Sequence, residues 1–468
     1  MNPPESPIES LVDHAHETRV VVIGGGIAGL VAALECAKVG MRVTLLEESD
    51  IVGDTIRSGE VAGATLDVGA DGYSTAGGHV QRLVTDLGLA AAVRPESGGG
   101  AWITGAPSGA APLPGGTVLG IPANVWDPAV RRIIGWGGVW RAYLDRLRPP
   151  LTIGQQRNLD TLVRGRMGDR VADRLVAPLT IGRHGLEPSE VDVEVAAPGI
   201  GSALTRTGSL SGAVAQLTAG VAPGVETLDG GMSQLVDALA ARLADLGALV
   251  RTNARVDALE RAESGWAVMQ GDERDVADVV IVATGERAAR HLLAPHAPGV
   301  HASPERDRRL EVVTVVAAAG SANEPRVAAL YPVPGTSAVS AVLEPTARWA
   351  SVAQRVGDAR RVVRVLTYRD GPLSGTDDDA IAAAVAEASR LLQVDLASDG
   401  ARLDRYEPAL PQSAMGQIAA AERVRAAVGR VPALAVVGEW MSGSGLARVI
   451  PDAEAEAERV RRAALFGG

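Results

Sequence analysis

The sequence is short of aromatic residues, of lysine and of cysteine, and each shortage narrows what the chain can be. Phe, Trp and Tyr make up 3% of the 468 residues, with a single Phe. Lys38 is the one lysine, so nearly all of the 45 basic residues are arginines. Together with the Ala, Gly and Val excess this reads as codon bias and carries no mechanism. The one cysteine, Cys36, cannot form an internal disulfide. It falls within an apolar helical pattern, which predicts a small buried core residue and fits a reducing compartment. Acidic residues exceed basic ones for a formal charge of -11, which argues against nucleic-acid binding by a basic surface. No apolar run is long and unbroken enough to span a membrane: the best stretch, 20–34, holds four glycines. The opening 18 residues lack the basic start and apolar run of a signal peptide. They are expected to be a disordered tail on a cytoplasmic protein. His14 and His16 fall in that tail, and His291, His296 and His301 lack metal-ligand spacing, so no metal is expected. There is no Gly-x-Ser-x-Gly elbow and no Walker lysine, which removes hydrolase and P-loop readings. These absences leave open monomer or homodimer, and a peripheral contact with a membrane surface.

What is present begins at Arg19. Arg19–Ile23 is a β-branched run suited to a buried parallel strand. Gly24-x-Gly26-x-x-Gly29 follows at once, and then Ile27, Leu30, Val31 and Leu34 recur at helical spacing. Arg42–Leu46 supplies a second strand, ending at Glu47 and Glu48. Each glycine has a physical reason. The first permits the tight turn, the second lets a pyrophosphate reach the backbone, and the third lets the helix pack on the sheet. Unpaired amides at the helix start, Ile27 and Ala28 among them, then favour the phosphates. Glu47, which directly continues the second strand, is placed to accept from a ribose hydroxyl. A dinucleotide site follows, for FAD or NAD. A second strand-glycine-helix unit near the C-terminus, Val436-Val437-Gly438-Glu439 with Gly443-Ser444-Gly445-Leu446, suits the far end of the longer cofactor and points to FAD.

Further elements are expected as helices over 128–146, 159–175, 232–246, 381–392 and 453–465. Strands are expected over 248–252, 255–261, 265–269, 279–283, 361–368 and 433–438. Residues 95–122 read as a loop with short strands, and 194–224 as a long Gly/Ala/Ser/Thr connection with some helix.

At this point the residues resemble a family, the protoporphyrinogen/coproporphyrinogen oxidases of the flavin amine oxidase superfamily. The resemblance rests on Val20–Asp71, with Val43-Thr44-Leu45-Leu46-Glu47, Arg57-Ser58-Gly59 and Leu66-Asp67-Val68-Gly69-Ala70-Asp71. It rests also on Pro112-Leu113-Pro114-Gly115-Gly116-Thr117, Arg174-Leu175-Val176-Ala177-Pro178-Leu179, Leu228-Asp229-Gly230-Gly231-Met232, and Ala409-Leu410-Pro411-Gln412. Where these relatives carry basic residues flanking a glycine pair, this chain reads Ile51, Val52, Gly53, Asp54, Thr55.

The resemblance implies an α/β protein: a Rossmann-like FAD-binding domain with an α+β substrate domain and a helical insert. It implies a discontinuous FAD domain over 19–75, 225–290 and 405–468. Residues 76–224 and 291–404 would form the substrate domain, with the insert at about 125–200. Gly24, Gly26, Gly29 and Glu47 would hold the ADP half, with Glu48 alongside. Arg57, Gly69 and Ala70 would lie along the pyrophosphate or flavin, and Val256 at the adenine. Gly438, Glu439, Gly445 and Leu446 would close on the ribityl and flavin side. The implied reaction passes hydride from a porphyrinogen carbon to flavin N5, with O2 as acceptor, in haem biosynthesis. No side chain is assigned as catalytic. Arg183 and Arg348 are candidates for the substrate propionates because guanidinium pairs bidentately with carboxylate, and His184 adjoins Arg183. The alternatives are a superfamily oxidoreductase acting on an amine or a polyene, and a non-catalytic binding protein.

Overall fold

The computed structural model describes residues 7–148, 156–220, 223–301, 308–319, 326–371 and 375–466. A five-stranded parallel sheet organises the nucleotide end: β1 Arg19–Ile23, β2 Arg42–Leu46, β3 Leu249–Arg251, β4 Val279–Val282 and β5 Leu434–Val436. Their order is β3-β2-β1-β4-β5, which is the doubly wound arrangement. β1 is hydrogen-bonded on both sides, with Val21 opposite Thr44 and Val280. That central position explains its unbroken Val/Ile run. Helix Ile27–Ala37 is buried on nearly every side. It lies in one core with helices Ser233–Asp245 and Leu446–Phe466, and its Ala and Gly residues permit that closeness.

The expected disordered tail is corrected by the structure from Pro7 onward. Pro7–Glu17 is a helix, Ala15 is buried, and His14 Nε2 lies 3.0 Å from the Ala464 carbonyl. Tertiary packing against the C-terminal helix holds a segment whose own sequence signal is weak.

The second large sheet has seven strands, in the order 398–406, 308–318, 360–370, 341–343, 329–332, 101–104 and 111–112. Its centre is the antiparallel pair Arg308–Ala318 and Arg360–Asp370. Arg308–Ala318 and Ser398–Tyr406 were not foreseen above, although the first carries Val312-Val313-Thr314-Val315-Val316, a plain strand signal. A small antiparallel sheet joins Ala258–Arg261, Trp266–Gln270 and Glu273–Ala277.

The helical insert contains helices Pro128–Tyr143, Leu159–Met167, Ile200–Thr207 and Leu210–Leu217. The helix expected over 159–175 is broken at Gly168, whose φ is +92°. Helix then resumes and carries a π turn over Ala172–Val176, just ahead of Pro178. Proline lacks the N–H that would bond back into that turn, so the widened turn falls where the ladder is interrupted. The chain is thus an α/β protein with a Rossmann-like sheet, an α+β second sheet and a helical insert. We propose that 19–75, 225–290 and 405–468 together form the nucleotide domain.

Candidate active site

The glycine turn follows from close approaches. A Cβ on Gly24, at φ +107°, would fall 2.6 Å from the Ala283 carbonyl oxygen, so a side chain there would collide with the chain leaving β4. On Gly29 a Cβ would fall 1.9 Å from the Gly24 carbonyl oxygen. The helix can pack on the turn only if that position is glycine. Gly26 is the N-cap, and no side chain caps this helix. Its free amides and positive dipole end face whatever lies against the turn. Glu47 points into this site: Oε2 accepts from the Gly25 N–H at 2.6 Å, and Oε1 from the Ser49 N–H at 2.9 Å. Glu48 is exposed beside it. Val256 is half-buried on the segment leaving β3. That segment hangs on the end of β2, where the Ala254 N–H donates to the Glu47 carbonyl at 2.8 Å.

The loop from Val52 to Asp71 lies against the turn. The Gly53 N–H donates to the Gly25 carbonyl at 2.9 Å, and the Ala70 N–H to the Thr55 carbonyl at 2.8 Å. Gly69 passes so close that a Cβ would sit 1.8 Å from the Thr55 oxygen. Asp54 has φ +53°, a left-handed conformation that Asp tolerates better than bulkier residues. That conformation sets its side chain over Gly26, with its Cβ 3.6 Å from where a Gly26 Cβ would be. Asp54 keeps exposed surface, but it does so inside a cleft. Burial there raises its pKa, the Glu47 carboxylate adds to the rise, and Arg57 opposes it. Arg57 itself leans toward Tyr406, its guanidinium 5.3 Å from the ring centroid and 3.5 Å from Asp404.

On the far side, Gly438 has φ +137° and Gly445 φ +98°, with open space where a Gly445 Cβ would be. Trp440 Nε1 donates to the Thr284 carbonyl at 3.1 Å and ties this segment to the end of β4. Burial, and then the Asp54 charge, push Glu439 up to about 7, against a hydrogen bond from the Gly445 backbone. Leu446 is buried at the start of the last helix.

Helix Ala177–His184 packs against the large sheet at strand 329–332. Arg183 Nε donates to Tyr331 Oη at 3.3 Å, and Tyr368 Oη donates to the Arg183 carbonyl at 3.2 Å. His184 keeps exposed surface beside Arg183. The surrounding protein, and then the Arg183 charge, lower its pKa to about 4, so it is neutral near neutrality. Arg348 is engaged elsewhere. It pairs with Glu96 at 2.8 Å and Asp71 at 3.4 Å, and lies over the Trp349 ring at 4.7 Å. These partners tie it to Asp71, beside the Gly69-Ala70 turn. A cavity of about 340 Å³ lined by Asp160, Arg164, Asp173 and Glu187 draws nothing from the glycine turn. Its carboxylates would repel an anionic substrate.

The sequence matches the family of flavin containing amine oxidoreductases over residues 27–460. A coproporphyrinogen III oxidase from Mycobacterium bovis is 30% identical, over 91% of this chain and 93% of its own length. This chain is a porphyrinogen-oxidase-type member of the flavin containing amine oxidoreductase family. The coproporphyrinogen III oxidase of Propionibacterium freudenreichii is 26% identical to this flavoenzyme, over 97% of this chain and 92% of the relative. A crystal structure provisionally named a protoporphyrinogen oxidase, from Exiguobacterium sp., superposes with a TM-score of 0.84 at 21% identity. It covers 95% of this chain and 99% of its own.

The flavoenzyme is an FAD-dependent oxidoreductase, and its residues fit the cofactor's ADP half: an uncapped helix start, a bare glycine turn and an inward carboxylate. Asp54 is at odds with a diphosphate. Residues that sequence reasoning missed include Arg364, whose Nη2 donates to the Val68 carbonyl at 2.9 Å and also to that of Gly69. It reaches the loop from the large sheet, and no local signal could have shown that. Cys36 is buried, and burial pushes its thiol up to about 12. It is therefore expected to ignore a thiol reagent such as Ellman's in the folded protein and to react only on unfolding; rapid labelling of native protein would contradict that.

Proposed function

We propose that this flavoenzyme oxidises a porphyrinogen to its porphyrin in haem biosynthesis, with coproporphyrinogen III preferred over protoporphyrinogen IX and O2 as the electron acceptor. The observation that carries this reading is likeness along nearly the whole chain to coproporphyrinogen III oxidases. When bound, FAD supplies the acceptor for hydride. The chain's residues bind, orient and shield. Gly24, Gly26 and Gly29 would seat the diphosphate, Glu47 would hold the ribose, and Val256 would meet the adenine. Arg57, Gly69 and Ala70 would line the middle of the cofactor, and Gly438, Glu439, Gly445 and Leu446 its far side. Arg364 and Arg348 position the Gly69-Ala70 turn from behind. Arg183, held between Tyr331 and Tyr368, would pair with a propionate, and His184 would offer a neutral ring beside it.

Anaerobic bleaching of the flavin tests the substrate. Coproporphyrinogen III is expected to bleach it faster than protoporphyrinogen IX, and admitting air should restore the colour with release of peroxide. Bleaching by an amine and by neither porphyrinogen would remove the proposal. Colourless protein that takes up no FAD would make the chain a binding protein instead. Arg183→Gln is expected to raise KM for coproporphyrinogen III about five- to tenfold with kcat little changed, since one charge-assisted contact at a half-open site is lost. Steady-state kinetics would show it, and an unchanged KM would remove Arg183 from the substrate site.

A further inference from the structure

We propose that the end of helix Ala177–His184 binds an iron tetrapyrrole, with His184 as axial ligand to the iron and Arg183 on a propionate, in competition with the porphyrinogen. The inference rests on the reading above, in which a tetrapyrrole propionate meets Arg183. The local build is specific. Gly182 and Gly185 bracket the pair. A Cβ on Gly182 would fall 2.4 Å from a ring carbon of Tyr331, and a Cβ on Gly185 2.4 Å from one of Tyr368. Only glycine lets both rings press on the helix end. Two of the chain's five tyrosines meet here, and between them they fix Arg183. Tyr331 Oη accepts from its Nε at 3.3 Å, and Tyr368 Oη donates to its carbonyl at 3.2 Å. Leu343 and Leu366 keep partly open surface on the apolar cluster that contains Tyr331, which is the kind of surface a macrocycle covers.

His184 is available in a way that other histidines are not. Among the described residues no hydrogen bond engages its ring, whereas His14 and His296 lie against the Ala464 and Leu259 carbonyls. It keeps exposed surface, and the surrounding protein with Arg183 holds it neutral near neutrality. A neutral imidazole is the form that ligates iron, so no proton has to be displaced. Among the described residues no three of His, Cys, Asp or Glu gather to hold a bare metal ion. The iron therefore comes already held by the macrocycle's own nitrogens, and the protein supplies an axial position. A porphyrinogen or a metal-free porphyrin offers nothing to that ligand, so the iron form is selected over both. It shares Arg183 with the porphyrinogen, so the two exclude each other, and turnover falls as the iron form accumulates.

The test titrates the full-length protein with FAD against ferric coproporphyrin III and, separately, against metal-free coproporphyrin III. The iron form is expected to bind at least about tenfold tighter, with the Soret and electron-paramagnetic signature of imidazole ligation. His184→Ala and His184→Gln, compared at equal flavin content, should bring that ratio to about one, and free imidazole should restore the signature in His184→Ala. Ferric coproporphyrin III should also raise KM for coproporphyrinogen III in the parent, and about tenfold less effectively in the variants. His291 and His301 are exposed elsewhere on the surface, and His291→Ala with His301→Ala should leave the signature in place. The proposal is overturned by a ratio near one in the parent, by ligation that survives both His184 variants, or by ligation lost with His291 and His301 instead. A fall in kcat in the His184 variants with iron-form binding intact would also overturn it and make His184 a group of turnover. Turnover of coproporphyrinogen III judges the oxidase reading separately. An iron form held through His184 in a protein that oxidises no porphyrinogen would remove that reading and leave this site standing.

Discussion

Replacing Asp54 by asparagine is expected to tighten FAD binding about tenfold above neutrality and to flatten its dependence on pH. The reason is placement. The left-handed backbone at Asp54 sets its carboxylate over Gly26, where the glycine pattern requires an open approach for a diphosphate. Glu47 lies on one side and Glu439 on the other, and the nearby cation, Arg57, is drawn toward Asp404. Solvent in the cleft weakens the repulsion, so the expected effect is set near tenfold rather than at the far larger figure that dry contact would give.

The sign follows from the raised pKa values. Both acids hold a proton more readily in the folded protein than when free. As pH falls through about 7, the folded-state value for Glu439, one negative charge acting on Asp54 is removed, and Asp54, its own pKa raised by burial, follows at lower pH, so FAD affinity rises. The same shift sets stability before the cofactor binds. The contribution from a protonated Glu439 is fully present below its ordinary value of 4.5 and is lost as pH rises toward about 7. Titrating FAD by fluorescence quenching across this range decides the matter. An asparagine variant that binds no tighter than its parent above neutrality would refute the account, as would a parent whose affinity ignores pH.

The second large effect is on the fold itself. Arg361→Met is expected to cost about 3–5 kcal/mol, because it strands a buried carboxylate. Glu344 and Arg361 are both almost fully buried and meet at 2.7 Å. Thr346 adds a hydrogen bond at 3.4 Å, and Arg326 approaches at 3.6 Å from a far more exposed position. Even with these partners, burial leaves the Glu344 pKa raised. Without Arg361 it rises further, so the variant's stability is retained at low pH and lost as pH climbs. Thermal unfolding should therefore show a large fall in midpoint, greater in alkaline than in acidic buffer. The double change Glu344→Met with Arg361→Met should recover most of it, since exchanging a whole buried pair for apolar groups is often near neutral. If the double variant is no better than the single one, the pair is not coupled as described. Arg361 lies on the strand that also carries Arg364, so flavin retention is expected to fall along with stability.

The nucleotide end was legible in the sequence because its information is local. β1, the glycine turn, helix 27–37 and β2 fall within one short unit, and strand and helix periods alternate in it without conflict. The place of Glu47 at the strand end was local in the same way, and its carboxylate turns to the Gly25 N–H. Asp54 was visible as an odd acid, but its place over Gly26 depends on a positive φ that nothing in the neighbouring residues announces. The partners of Arg348 could not be read locally, because they are set by the fold: Glu96 and Asp71 reach it from distant parts of the chain. Arg364 was invisible for the same reason, since it bonds a carbonyl 296 positions away. The strand Arg308–Ala318 is a different kind of omission. Its β-branched run is plain, but it stands between segments of weaker pattern. The helix Pro7–Glu17 shows the reverse, a polar segment whose order comes from what it packs on.

The parallel sheet also fixes a timetable. β1 and β2 are made well before β4, the partner on the other side of β1, which follows the whole of the helical insert. β5 and the helix Leu446–Phe466, which packs on helix Ile27–Ala37, come later still. Until then the nascent turn is half of a crevice, with one wall missing. Capture of the flavin must therefore wait for β5 and the helix after it. During that interval the edge of β1 is an open strand that other chains could pair with, so newly made protein depends on being shielded before it is ever coloured.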